Sequence, residues 1–395
     1  MGLNERFAIV FAALALLVRV GMAWYATGLS RSKNAAAAVL RNVLDFCVAT
    51  LAFWASGAAI MSADVGLYFD HAAHLSITVF VHLVFVLFAS AIPVGTGGER
   101  SKLLPMAIVS FFMASLVVPL AGYFAWTGLL ARMDYIDEAG ASVVHLAAGM
   151  SALAVAILVG PRTGKYNRDG SSNMIPGHSL PMASVGVIVM LVAWGPYVLG
   201  AGALYRGFGV YGVVNVLLAG SAGALAALAG SVIRFGKPDA MLTYSGLLGA
   251  LVAVTGAANL MPTGGAVAIG VVAGAIVPWV LVQIDLRFKV DDPTGAVAIH
   301  GIGGLIGTLA VAFVAPMNTM GQRFQQLGVQ AIGVVLISVI ALASIGVPLL
   351  VLRKAIGIRA SEANEFDGLD LAEHDLNAYP DFQQNTIKSY HLREA

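Results

Sequence analysis

The chain is 395 residues long, 59% hydrophobic and only 11% charged, with a mean hydropathy of +0.85. A soluble domain carries about a quarter of its residues charged, so this composition excludes a free globule and points to a lipid bilayer. With 22 Lys and Arg against 21 Asp and Glu, the net charge of +1 excludes a basic nucleic-acid-binding protein, and the single Cys47 excludes an internal disulfide framework or a Cys-built metal site.

A spanning helix needs roughly 20 mostly apolar residues. In chain order eleven such runs appear: Phe7 to Thr27, Ala35 to Met61, Ser76 to Gly95, Leu103 to Trp126, Ala139 to Gly160, Leu180 to Leu204, Phe208 to Ile233, Ala240 to Leu260, Gly264 to Ile284, Pro293 to Pro316 and Leu327 to Leu352. The first is long for a secretory leader, lacks a basic start and contains Arg19, so it is read as a retained helix. An all-α membrane domain over residues 1–355 and a polar tail over 356–395 follow. Small residues at four-residue spacing, as in Gly220 to Gly230 and Gly264 to Gly274, predict close helix packing and by themselves no ligand.

Loop charge orients the bundle, because Lys and Arg accumulate on the cytoplasmic side. One set of loops holds Arg31, Lys33, Arg100, Lys102, Arg162, Lys165, Arg168, Arg234, Lys237, Arg287 and Lys289, with Arg353, Lys354 and Arg359 after the last run. The other holds Arg6, Arg132, Arg206 and Arg323. This asymmetry predicts the N-terminus outside and the C-terminus inside, as an odd number of spans requires.

Two segments resemble each other. The fifth run reads Gly140-Ala-Ser-Val-Val-His145-Leu-Ala-Ala-Gly149, and the tenth reads Thr294-Gly-Ala-Val-Ala-Ile-His300-Gly-Ile-Gly-Gly304. Each places a His inside a Gly- and Ala-rich span with a Gly four positions later. Five spans apart, the copies run in opposite directions, which is the pattern of an inverted repeat of helices 1–5 and 6–10 with a peripheral helix 11, and of a transporter whose path lies at the repeat interface.

An imidazole deep in hydrocarbon needs a cavity or a partner. Either His alone is also compatible with a core side chain bonded to a backbone carbonyl; as a symmetric pair, His145 and His300 are expected to meet near the pseudo-axis. Two His without a nearby intramembrane Asp or Glu would leave a divalent ion under-coordinated, so no metal and no cofactor is expected. Neutral imidazoles in an apolar tube suit a small, uncharged, hydrogen-bonding solute. His71 and His74 fall in an acidic outer loop, His82 is read as lining a helix interface, and His178, His374 and His391 are cytoplasmic in this topology; none of them is assigned to the path.

With that pair placed, the chain resembles the ammonium transporter, methylammonium permease and Rhesus family from end to end. The matching words are Gly28-Leu-Ser-Arg-Ser-Lys-Asn34, Gly98-Glu-Arg100, Asp137-Glu-Ala-Gly-Ala-Ser-Val-Val-His145, Val290-Asp-Asp-Pro293, Ala298-Ile-His-Gly-Ile-Gly-Gly304 and the tail word Glu365-Phe-Asp-Gly-Leu-Asp-Leu-Ala-Glu-His374. The resemblance implies a homotrimer with one pore per subunit in a bacterial inner membrane. It implies recruitment of ammonium at an outer site where the aromatic positions fall on Trp126 and Phe85, and a gate of two stacked rings falling on Phe85 and Tyr197. Asp137 matches the family's acid at the outer mouth, expected to hold the vestibule by capping backbone amides. A neutral ammonia then passes the twin histidines, and no enzymatic activity is implied.

Three positions depart from that pattern. Tyr197 stands where the family has a second phenylalanine, Ala201 where it has a recruitment serine, and Gly295 where an Asp commonly follows Asp-Asp-Pro. Glu365 to Tyr379 match a regulatory tail that contacts the neighbouring subunit, and many bacterial members are plugged at the cytoplasmic mouth by the trimeric PII signalling protein. The alternative from another class is an ammonium sensor that binds its ligand and signals through the tail, favoured by the altered gate and the missing hydroxyl. A membrane enzyme lacks a carboxylate or cofactor motif beside the His pair, and Rhesus-type gas conduction is disfavoured by the bacterial-type tail.

Overall fold

The computed structural model describes residues 3–69, 76–205 and 210–380. The outer-loop positions His71 and His74, with Arg206 and His391, lie outside the described residues. Among the described residues ten helices are long and apolar enough to cross a membrane: α1 Arg6–Leu29, α2 Ser32–Ser62, α3 Ile77–Thr96, α4 Leu103–Met133, α5 Ala141–Val159, α6 Leu180–Gly202, α7 Val210–Phe235, α9 Thr263–Leu286, α10 Val297–Val314 and α11 Met320–Ala355. Between α7 and α9 lies the shorter apolar helix α8, Ala240–Val254, at the eighth expected run. Its last expected residues, to Leu260, form turns instead. Among the described residues there is no named strand, only two isolated bridges, so the fold is all-helical.

Some helices outrun their apolar windows. α11 begins at Met320, where Thr319 and Gln322 form a reciprocal capping box. Polar residues before and within the expected run find partners: Arg323 donates to the carbonyls of Ala312, Phe313 and Met317, and Gln330 to those of Ile136 and Thr308. α4 likewise continues past Trp126 to Met133, and it carries two π-turns, Met113–Val117 and Tyr123–Thr127.

Helices at matching places in the two expected copies touch each other. α1 lies against its counterpart α6, and α5 against its counterpart α10. Glycine sets both distances. A Cβ on Gly28 would meet the Ala183 amide at 2.5 Å, and one on Gly186 the Tyr25 amide at 2.5 Å. At the other crossing, a Cβ on Gly149 would stand 2.2 Å from the Gly301 nitrogen, and one on Gly304 2.5 Å from the Ala141 oxygen. These are the glycines four positions after each His, and each touches the residue next to the opposite His or near it. α3 and α5 are largely buried at the centre, while large apolar side chains such as Leu51, Val192, Trp279 and Val335 cover the outside. An apolar exterior around a tight Gly- and Ala-rich interior is what a bilayer solvent favours.

At one end the loops before α2, after α3 and after α5 gather with the tail. Arg162 bridges Glu99 and Asp291, Arg31 pairs with Glu99, and Arg100 donates to the carbonyls of Thr96, Gly160 and Asp291. The tail forms two short helices, α12 Glu362–Asp367 and α13 Leu369–His374. Asp370 accepts the amides of Ala36 and Ala37 at the start of α2, Glu373 pairs with Arg41, and Glu365 accepts the Thr163 amide and pairs with Arg359.

Candidate functional site

Both histidines sit in single π-turns, Ala141–Leu146 and Val297–Ile302, at the starts of α5 and α10. Such turns concentrate at functional positions. Each is prepared by the same local device. Asp137 accepts the amides of Ala141, Ser142 and Val143 and the Ser142 hydroxyl, and Gly140 turns the chain at φ 85°. Asp292 accepts the amides of Ala296 and Val297, and Gly295 turns the chain at φ 69°. Asp, three residues to Gly, five more to His: the motif is written twice.

That symmetry explains one departure. Position 295 needs a left-handed backbone, which Gly adopts freely and Asp is among the few other residues to tolerate. The substitution therefore preserves the turn. Burial lifts the carboxyls of Asp137 and Asp292 above the ordinary range, and their amide donors oppose that rise.

The turns bring the two rings together. His145 Nδ1 and His300 Nδ1 are 3.2 Å apart, with ring centroids at 5.2 Å and planes within 18°. His145 is fully buried and His300 nearly so. Two neutral imidazoles facing through Nδ1 share one proton there, so one ring keeps a bare Nε2 acceptor and the other an Nε2–H donor. His145 Nε2 is buried with no hydrogen-bond partner among the described residues. The pair thus offers one donor and one acceptor to a guest.

Aromatic rings wall this pair. Trp194 stacks on His145 at 5.4 Å, and Phe88 meets His145 edge-on at 4.9 Å and His300 at 6.2 Å. Tyr197 packs against Phe85 at 5.2 Å and Phe88 at 5.3 Å, and donates its hydroxyl to the Ala139 carbonyl at 2.6 Å. Beyond Phe85 stands Trp126, 5.7 Å away and half-buried, whose indole N–H donates to the Asp137 carbonyl at 2.8 Å. Rings from Trp126 through Phe85, Tyr197 and Phe88 therefore lead without a break to the two imidazoles. Ala201, one turn after Tyr197 on α6, is buried and offers only a methyl group.

On the other side of the pair two small cavities follow in series. One of about 40 Å³ is lined by His300, Tyr25, Asn42 and Thr294, and one of about 30 Å³ by Asn42, Thr294, Ser30, Arg41 and Glu99. Each is water-sized. They carry the line of contacts from His300 to the end of the molecule where the tail sits.

Three residues at this site were not among the sequence expectations: Phe88, Trp194 and His82. The last is read from sequence as an interface residue, yet its ring stacks on Trp126 at 5.4 Å with planes within 8°. The available signal is spacing. His82, Phe85 and Phe88 recur every three residues on α3, and Trp194 and Tyr197 do so on α6, so each set shares a helix face.

Comparison with known proteins gives the family. The model of the Ammonium Transporter Family matches residues 6–379. Among curated proteins the chain is similar to ammonium transporter Amt2 of Archaeoglobus fulgidus, at 32% identity over 95% of this chain and 88% of that one. It is also similar to ammonium transporter Amt1 of Haloferax mediterranei, at 30% identity over 96% of this chain and 80% of that one. Among solved structures, one titled Sensor Amt Protein superposes with a TM-score of 0.89 at 32% identity, covering 94% of this chain and 98% of that one. Mep2 of Candida albicans shares the fold, with a TM-score of 0.83 at 23% identity over 98% of this chain and 93% of that one. With its twin-histidine turns, its aromatic approach and a match over nearly its whole length, this chain belongs to the ammonium transporter family.

Proposed function

We propose that this ammonium transporter binds ammonium between Trp126 and Phe85, releases its proton to water at or below the Phe85–Tyr197 gate, and conducts ammonia past His145 and His300. The single observation that carries the reading is the 3.2 Å Nδ1–Nδ1 contact in a buried, aromatic-walled setting. A bare cation there costs many kcal/mol. Ammonia, at once donor and acceptor, matches the donor and acceptor that the ring pair presents. At the outer end, aromatic faces repay part of the lost hydration, about 0.5–2 kcal/mol for each cation–π contact. Asp137 acts through position: it holds the first turn of α5, and its carbonyl fixes the Trp126 indole.

The assembly in this reading has eleven crossings, α8 being the eighth, with the N-terminus outside and the C-terminus inside a bacterial inner membrane. The gathering of basic loops and tail at one end supports that topology. Residues 1–355 form the membrane domain and 356–395 a regulatory tail. The unit is a homotrimer with one path per subunit, methylammonium is a second substrate, and a PII protein docks at the tail face.

Replacing His145 with Ala is expected to abolish selective methylammonium uptake in proteoliposomes. Undiminished uptake by a correctly folded variant removes the pair from the mechanism. A second reading, an ammonium sensor, is favoured by the similarity to a protein titled as a sensor and by Tyr197 and Ala201. Current recordings under an ammonium gradient separate the two, because a sensor binds without sustained flux.

A further inference from the structure

The gate of this chain differs from a phenylalanine pair by one oxygen atom. Tyr197 is 1% exposed, and its hydroxyl donates to the Ala139 carbonyl at 2.6 Å. That carbonyl belongs to a rigid frame. The Ala139 amide donates to the Thr255 carbonyl and the Glu138 amide to that of Gly256, while the Glu138 carboxylate accepts the Asn259 amide at 2.8 Å. Asp137, two residues back, is held by three amides and a hydroxyl. The strap over residues 137–139 is thus tied both to the end of α8 and to the first turn of α5.

Tyr197, by contrast, hangs from α6 and is enclosed by Phe85, Phe88 and Trp194. A phenylalanine here would be restrained by ring packing alone and would swing aside as packing fluctuates. The tyrosine must also break a buried hydrogen bond and leave a carbonyl unpaired in apolar surroundings, and an unmade buried bond is more costly than a made one is favourable. The same oxygen cannot serve two carbonyl-directed donations, so its one proton is committed to the strap and is not offered to a guest while the ring is in place.

We propose that Tyr197 is a latch: its hydroxyl ties the gate ring of α6 to the Ala139 carbonyl, holding the path shut until a guest disrupts that bond. Two consequences follow. The latch makes the closed state the more populated one, and it links the gate to the mouth loop that positions Trp126 through the Asp137 carbonyl. This inference rests on the conduction reading given above and adds the element that sets how often the path opens and how large a guest it passes.

The test is Tyr197→Phe, which removes the oxygen and keeps the ring, measured in proteoliposomes beside the wild type and beside each carrying His145→Ala. Methylammonium uptake by Tyr197→Phe is expected to rise on the order of 5- to 10-fold, the factor that one buried hydrogen bond controls, and the larger dimethylammonium to gain more than ammonium does. Uptake equal to or below that of the wild type overturns the latch. If His145→Ala leaves uptake unchanged in both backgrounds, the conduction reading fails independently of the latch. If neither protein conducts, ultraviolet Raman difference spectra of wild type minus Tyr197→Phe still decide. A phenol that donates strongly without ammonium and loses that bond at saturating ammonium supports the latch; a bond that persists overturns it.

Discussion

At the scale of single residues, the site is a matter of which polar atoms are already occupied. Trp126 has spent its indole N–H on Asp137 and Tyr197 its hydroxyl on Ala139, so neither donates to a guest, and their rings are what remain. In the proposed reading, recruitment at the outer site is left to π faces, one of which His82 covers. Ala201 adds nothing polar. Replacing Ala201 with Ser restores one acceptor beside the gate; a net hydrogen bond of about 0.5–1.5 kcal/mol is expected to lower the half-saturating methylammonium concentration by roughly 2- to 10-fold. An unchanged value would mean that position 201 does not face the guest. The histidines were legible in sequence because a titratable group in a Gly- and Ala-rich span has few bland explanations, and two in register have fewer. Trp194 and Phe88 were not, since an aromatic residue in an apolar helix looks the same whether it meets lipid, core or guest.

At the scale of elements, two crossings fix the geometry. The α5 and α10 backbones touch at Gly149 against Gly301 and at Gly304 against Ala141 and Leu146. Only that approach lets side chains from the two π-turns meet ring to ring. Gly149→Ala sets a methyl 2.2 Å from a backbone nitrogen, where nothing flexible can yield. The expected cost is about 1–3 kcal/mol, as for other overpacked cores, seen as a melting temperature several degrees lower in detergent. Gly230→Ala, with open space around the new methyl, serves as the control; equal melting of the two variants would show that the crossing tolerates expansion. The sequence marked Gly149 and Gly304 only as glycines four positions after each His, without saying what they meet. A four-residue spacing defines a helix face, and the partner of that face is a tertiary fact.

At the scale of the molecule, the two halves are tied at one end by charge. Asp291, between α9 and α10, takes Arg162 through two side-chain bonds and one amide, while Arg162 also reaches Glu99 beside α3. Burial alone would lift the Asp291 carboxyl, but hydrogen bonds and charge from Arg162, with the charge of Arg100, hold it at about 2. A carboxyl with a depressed folded pKa contributes stability above its unfolded value of about 3.9, and that contribution is lost as pH falls through the folded value. Melting of the wild type should therefore fall between about pH 4 and pH 2, and Asp291→Asn should be less stable at pH 5 while converging on the wild type near pH 2. A constant gap between the two proteins across that window would show that the pair does not bind its proton differently on folding. The tail closes over the same end, with Glu373 on Arg41, Asp370 on the start of α2 and His178 bonded to Tyr379.

Composition and periodicity alone determined that this is a multi-span helical membrane protein, because a chain 59% hydrophobic and 11% charged has no other solvent in which to fold. The doubled His motif marked two spans as alike, and both carry their His in a π-turn. Tertiary structure decided the rest: which nitrogens face each other, that Tyr197 spends its proton on Ala139, that His82 lies on Trp126, and that Arg323 belongs inside a helix expected to begin only at Leu327. Those are contacts between residues far apart in the chain. Local sequence sets which groups each helix presents, and only the packing of one helix against another sets what they meet.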